Sequence, residues 1–289
     1  MEERSRLRFG MLGADSPPVF EGAESADGEV DIVAFARLAG FEPDVHQMAV
    51  LQSTAKQGIL NCTRQWGKST TAAAMAAYRV VMRPGSMVVV AAPTEKQSAE
   101  LVKKAAGMIA VYGLGSGGIR IRKDGIHKVS LALENGSRMV GLPGNEATVR
   151  GLSAVNLLLV DEASRVRDAL YQALRPMLTV PQGDVWLMST PWATHGFFYE
   201  AWANGGRDWE RISVKATECP RISREWLERE WREIGDVAFR RDYMAEFVQD
   251  EASAFDAEVV REALDKGVTP LALGLMEFRR RSQERRCSP

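Results

Sequence analysis

The chain has 289 residues, is 45% hydrophobic and 26% charged, and carries 37 Lys and Arg against 38 Asp and Glu, a formal net charge of −1. That length and apolar content support one large domain or two modest ones, and the balanced charge gives no global bias toward nucleic acid, so any such binding needs a local patch. Cys62, Cys219 and Cys287 are too few and too scattered for a disulfide framework or a zinc site, and neither a signal peptide nor an apolar run of membrane-spanning length is seen, so a cytoplasmic setting without membrane contact is expected.

In chain order, residues 11–29 are rich in Gly, Pro, Asp and Ser and read as part of a flexible arm over 1–29. From about residue 30 a regular alternation begins. "GILNCT" reads as a strand, "STTAAAMAAYRVVM" as a helix stopped by Pro84-Gly85, and "SMVVVAAP" as a strand. "TEKQSAELVKKAAGMIAVYG" is predicted as a helix capped by Thr94. "GSRMVGLPG" and "NLLLVDEA" are predicted strands, "VRDALYQALRPML" a helix, and "DVWLMSTP" a further strand. Apolar strands alternating with helices predict an α/β three-layer sandwich with a mainly parallel sheet, whose ligands sit beyond the carboxyl ends of the strands.

After residue 205 the pattern changes: "WERISVKA" fits one more strand, and residues 223–247 form a charged helical stretch whose Trp226, Trp231, Phe239 and Tyr243 are expected to pack. The expected organisation is an arm at 1–29, a P-loop core at 30–205, a small helical lid or linker at 206–255, and a basic tail at 256–289.

"NCTRQWGKST" ends in the phosphate-binding signature Gly67-Lys68-Ser69-Thr70, but Cys62 stands where the first glycine of a full P-loop would be. The stretch follows an apolar strand and opens a helix, where backbone N–H groups and the helix dipole converge on an anion. Lys68 is expected on the β- and γ-phosphates and the Ser69 hydroxyl on Mg²⁺. "NLLLVDEAS" drives four apolar residues, Leu157 to Val160, into Asp161-Glu162 at a strand end. Asp161 is expected in the Mg²⁺ shell and Glu162 as the base that polarises the attacking water. A pair of solvated acids at a turn is the plainer alternative, and the two motifs together outweigh it.

Arg64, inside the loop, and Arg150, in "TVRGLSAVN", compete for the role of arginine finger, against the alternative of ordinary surface ion pairs. Ser189 and Thr190 in "LMSTPW" fit either a γ-phosphate sensor that couples to a moving segment or a simple turn before Pro191. Gln47, some twenty residues before the loop, has an amide able to read the adenine edge, whereas the neighbouring His46 reads as structural.

With these residues in hand, the chain resembles the ATPase domain of the large terminase subunit of tailed bacteriophages. The resemblance runs from about residue 35 to 260 and rests on "FEPDVHQ", "TRQWGKST", "TVRGLSAVNLLLVDEAS", "LMSTP" and "FRRDYMAEF". This family commonly carries an arginine-containing loop without the leading glycine. The resemblance implies an ASCE-type P-loop ATPase that uses ATP and Mg²⁺ to drive double-stranded DNA into a procapsid. It implies a homo-oligomeric ring on the portal protein, a small terminase subunit as partner, and the cytoplasm of a bacterial host as setting. By the same resemblance Gln47 is the adenine reader, Gly67, Lys68, Ser69 and Thr70 hold the nucleotide, and Ser69 and Asp161 hold Mg²⁺. Glu162 is then the base, Ser189-Thr190 the coupling motif, Arg64 a finger in cis and Arg150 one in trans.

The family continues into an RNase H-like nuclease whose first strand carries an acid. Here "LALGLMEFRRRS" places Met276 or Glu277 at about that point, and no further acidic cluster follows, so no nuclease activity is expected. Two other functions stay open on the sequence: a helicase-like DNA-dependent ATPase, and an inactive nucleotide-binding relic serving as a DNA or portal adaptor.

Overall fold

The computed structural model describes residues 30–248 apart from 117–119, 128, 143, 145–151 and 181. The described residues belong to the first of two compact units, Met1–Val248. Eight strands, β1 Gln57–Cys62, β2 Met87–Ala91, β3 Ile121–His127, β4 Ser130–Leu133, β5 Arg138–Leu142, β6 Leu157–Asp161, β7 Asp184–Ser189 and β8 Trp209–Val214, form one sheet. Its order is β3-β4-β5-β2-β6-β7-β1-β8. β1, β2, β5, β6, β7 and β8 are all mutually parallel, and β4 is antiparallel to both of its neighbours.

The central strands are apolar throughout because helices cover both faces. Every residue of β6 and of β7 is buried. Alternate residues then sort into two cores. Leu60, Val88, Val90, Leu157, Leu159 and Met188 face α1 (Ile32–Leu38), α2 (Val45–Gln52), α3 (Lys68–Met82) and α4 (Glu95–Ser116). Ile59, Val89, Leu158, Val160 and Leu187 face α5 (Asp168–Leu174) and α6 (Phe197–Asn204). That is the predicted three-layer α/β sandwich.

β7 lies between β1 and β6. The turns leaving β1, β6 and β7 therefore emerge side by side at the carboxyl edge, with Asn61 opposite Ser189 and Asp161 opposite Met188 in the strand register.

Four features go beyond the sequence reading or differ from it. β3 and β4 form an antiparallel edge hairpin, for which local pattern gives little signal because β4 has only 4 residues. The helices α1 and α2 each start on an aspartate cap, Asp31 and Asp44, and α2 carries a reciprocal capping box between Asp44 and Gln47. β8, the further strand expected in "WERISVKA", pairs with β1 over its whole length, so the sheet itself runs on past residue 205 to Val214.

The helical stretch after residue 223 is broken in two, α7 (Arg224–Ile234) and α8 (Asp236–Tyr243), at Gly235 with φ 79°. Tyr243 and Leu227 are buried there against Ala216, with Phe239 alongside, as expected. Trp226 packs edge-on against the Tyr243 ring at 5.3 Å yet stays 38% exposed, and Trp231 is 49% exposed, because two short helices leave too little opposing surface to cover them.

Candidate nucleotide site

The glycine missing at the start of the loop is not needed. Cys62 is the last residue of β1, fully buried, and keeps a negative φ. Burial pushes its thiol up to about 12, so it is a neutral core group. The sharp turn falls later, at Gln65 with φ 63° and Gly67 with φ 104°. Gly67 caps α3, and its carbonyl accepts from the backbone N–H of Thr70 and Thr71 at 2.9 and 3.0 Å.

The loop is braced from outside. Trp66 is fully buried, and its carbonyl accepts from Gln47 Nε2 at 3.0 Å and from the Arg221 guanidinium. Gln47 is 1% exposed, and its Oε1 accepts from the Asp44 backbone N–H at 2.8 Å. In this arrangement Gln47 ties α2 to the loop. Thr63 N–H donates to Val214 O at 2.9 Å, and Arg64 N–H donates to Asp242 O at 3.1 Å, so β8 and α8 hold the loop's first residues.

Ser69 Oγ donates to Asp161 Oδ2 at 2.9 Å, and Lys68 Nζ lies 3.0 Å from Glu162 Oε1. Glu162 adopts a left-handed backbone, φ 49° and ψ 43°, and its N–H donates to Asp161 Oδ1 at 3.0 Å. A non-glycine residue held there stores local strain, which concentrates at working sites.

Burial raises the Asp161 pKa, with Glu162 adding to the effect, and Lys68 and the bonds from Ser69 and the Glu162 N–H only partly oppose it. Burial works against the Lys68 charge as well, but the Glu162 and Asp161 carboxylates beside it favour the charge, and its pKa rises.

At the end of β7, Ser164 N–H donates to Ser189 Oγ at 3.2 Å, the two serine hydroxyls are 2.8 Å apart, and Ser164 Oγ donates to Thr190 O at 2.9 Å. The turn after β6 is thereby stitched to β7. Thr190 is 7% exposed and its Oγ1 is buried without a partner.

Of the residues singled out in the sequence, Arg64, Gly67, Lys68, Ser69, Thr70, Glu162 and Thr190 line one cleft of about 720 Å³. Asp161 adjoins it through Ser69. The Arg64 side chain is turned onto Asp242, Nε to Oδ2 at 3.2 Å. Arg150 and the stretch around Met276 and Glu277 lie outside the described residues.

The cleft is also lined by Gln97, Lys104, Arg165 and Asp242, none of which the sequence reading singles out. Arg165 follows Glu162 by three positions in "DEASR", a spacing that was open to notice. Asp242 and Arg221 carry no such signal, since only the return of the chain after β8 brings them to the loop.

Residues 59–261 match the family model described as terminase large subunit, T4likevirus-type, N-terminal. The chain belongs to that family. Among curated relatives it is 27% identical over 257 residues to the terminase large subunit of Thermus virus P23-45, and equally to that of Thermus phage G20c. The match covers 76% of this chain and 52% of each relative, so the chain spans about half the length of those proteins.

Its fold matches the Thermus phage P74-26 large terminase ATPase domain with TM-score 0.67 at 24% identity, over 74% of this chain and 97% of that one. The large terminase of a thermophilic bacteriophage, solved in complex with ADP, matches with TM-score 0.56 at 14% identity, over 71% of this chain and 53% of that one. The likeness is one of fold; in this chain β7 lies between the loop strand β1 and the acidic strand β6. No described helix is long and apolar enough to cross a membrane.

Proposed function

We propose that this chain is the ATP-hydrolysing motor domain of a terminase large subunit, acting on double-stranded DNA together with a portal protein and a small terminase subunit. The observation that carries the reading is the four-residue arrangement of Lys68, Ser69, Asp161 and Glu162, joined across 92 residues of sequence by the Ser69–Asp161 bond. Family membership supports the rest.

The cleft between the loop and the ends of β6 and β7 takes the triphosphate. The N-terminus of α3, with its unsatisfied N–H groups and dipole, faces the phosphates. Lys68 gives up its contact with Glu162 to bind the β- and γ-oxygens. That exchange frees the Glu162 carboxylate to accept a proton from the attacking water.

Mg²⁺ fits the donor set, because Ser69 and Asp161 offer hard oxygen ligands at one point. No cluster of three or more His, Cys, Asp or Glu suited to a metal exists among the described residues, and a phosphate-bound Mg²⁺ needs only one or two protein ligands. When bound, the ion neutralises charge on the phosphates. Arg64 is the finger in cis once it leaves Asp242, and Arg150 from a neighbouring subunit is the finger in trans.

Gln47 acts on the base side of the loop, where one amide hydrogen beyond its bond to Trp66 remains for adenine. Ser189 and Thr190 report the state of the phosphates to the segment that follows β7.

The test is steady-state ATP hydrolysis by the purified chain across a range of protein concentrations, with and without double-stranded DNA. Turnover that rises steeply with concentration supports an active ATPase completed by a neighbouring copy. Bound ATP without turnover at any concentration or with DNA overturns the motor reading in favour of a nucleotide-binding relic.

A further inference from the structure

Four cationic side chains line the cleft: Arg64, Lys68, Lys104 and Arg165. Two are already paired, Arg64 with Asp242 and Lys68 with Glu162. The Arg165 guanidinium makes no hydrogen bond or ion pair to any described residue. It is nevertheless held in place, because its central carbon lies 4.0 Å from the centroid of the Trp192 ring.

Arg241 approaches the same ring at 4.4 Å. The Trp192 indole is thus shared by two guanidiniums. The two arginines are not equivalent. Arg241 Nε donates to Asp242 Oδ1 at 2.9 Å, a carboxylate it shares with Arg64. Arg165 is exposed and pairs with no carboxylate among the described residues, so its guanidinium is open to an incoming anion.

The backbone of Arg165 is fixed as well. Its N–H donates to Glu162 O at 2.9 Å, closing the turn that carries the acidic pair. A planar guanidinium stacked on an aromatic ring keeps its edge donors free and has little rotamer freedom left to lose on binding. Lys104 likewise pairs with no described residue and is exposed as Arg165 is, but no aromatic ring among the described residues holds it. Beside Arg165 the cleft also holds Thr190, whose hydroxyl is buried without a partner.

We propose that Arg165 is a further phosphate ligand of this site, an arginine supplied in cis from the turn after the acidic strand, and that Trp192 is its positioning residue. The inference rests on the nucleotide reading above and adds a selectivity to it. The ligand class is the terminal phosphoryl group of a nucleoside triphosphate, or the same anion after cleavage. Arg165 therefore distinguishes triphosphate from diphosphate, and the Trp192 stack passes its movement to α8 through Arg241.

The experiment is calorimetric titration of the full chain with Mg·ATPγS and with Mg·ADP. It compares the wild type with Arg165→Ala, Arg165→Gln and Trp192→Leu. Loss of one charge-assisted contact is expected to weaken ATPγS binding by about 10- to 100-fold while ADP affinity stays as in the wild type. Trp192→Leu should show the same selective loss to a smaller degree, which a merely structural role would not produce.

If Arg165→Ala fails to fold, Arg165→Gln, which keeps the stem and the polar end, gives the same reading. An unchanged ratio of ATPγS to ADP affinity in a folded Arg165 variant overturns the proposal and leaves the nucleotide site standing. A wild-type chain that binds neither nucleotide overturns both.

Discussion

Lys68 Nζ lies 3.0 Å from Glu162 Oε1, an ion pair between the lysine of the phosphate loop and the carboxylate beside the β6 terminus. Both side chains are largely buried, at 11% and 25% exposure, so neither charge is well solvated if the other leaves. Without nucleotide, each keeps the other from a costly vacancy. With a triphosphate in the cleft, the phosphates replace Glu162 as the lysine's partner, and the base is released where it is needed.

This exchange separates the two residues experimentally. Glu162→Gln is expected to lower turnover by at least about 100-fold, the lower end of what a positioned base contributes, with ATP still bound. Lys68→Ala should weaken ATP binding itself. Filter binding of labelled ATP alongside turnover measurements checks both, and equal loss of binding in the two variants would sink the role assignment.

The Asp161 carboxyl has a raised pKa, mainly because it is buried and sits beside Glu162. A carboxyl with a folded pKa above its unfolded one contributes stability that is present at low pH and is lost as pH rises through the folded value. At neutral pH the unliganded chain therefore carries this group as a liability. Asp161→Asn is expected to raise the urea midpoint at neutral pH and to flatten the fall in stability between the ordinary carboxylate range and the raised pKa. The same variant should lose Mg²⁺-dependent nucleotide binding. A neutral-pH midpoint below that of the wild type contradicts the assignment.

Gly67 is held at φ 104°, and a Cβ there would meet Gln47 Nε2 at 2.8 Å. Gly67→Ala should cost about 1–3 kcal/mol from backbone strain, or roughly 2–4 °C of melting temperature per kcal/mol in a domain of this size. Nucleotide binding should fall further than stability does, because the strain is relieved by moving the loop. Shortening Gln47 in the Gly67→Ala background removes the clash and leaves the strain. The double variant should thus recover only part of the melting temperature lost.

Gly58 sits on β1 directly opposite Trp186 of β7, and a Cβ there would lie 2.4 Å from the indole ring. Trp186 is 2% exposed and has nowhere to move. Gly58→Ala is expected to destabilise the chain by about 1–3 kcal/mol or more through overpacking, read as a lower urea midpoint. An unchanged midpoint would show that the indole can yield and that the β1–β7 contact is loosely packed.

The sandwich was legible in the sequence because its central strands are buried on both faces, and a strand with no solvent side must be apolar at every position. The same logic exposed the loop and the acidic pair. A short apolar run such as Leu157–Val160 that ends on Asp161-Glu162 leaves two charges only at a strand terminus, where a ligand can reach them. What the sequence could not rank were the arginines. Local pattern marks Arg64 by its place inside the loop but gives Arg165, Arg221 and Arg241 no distinction, as charges beside a turn or a helix.

Tertiary structure alone decided that Arg64 faces Asp242, that Arg221 braces the Trp66 carbonyl, and that Arg165 and Arg241 share the Trp192 ring. It also set the Gln47 amide on the Trp66 carbonyl, and divided the expected helical stretch at Gly235. The division has a simple cause. Burial of a strand is written into the residues of that strand, whereas the partner of a long polar side chain depends on which distant segment folds beside it. Here that segment is the chain from β8 to α8, whose return to β1 no local periodicity records.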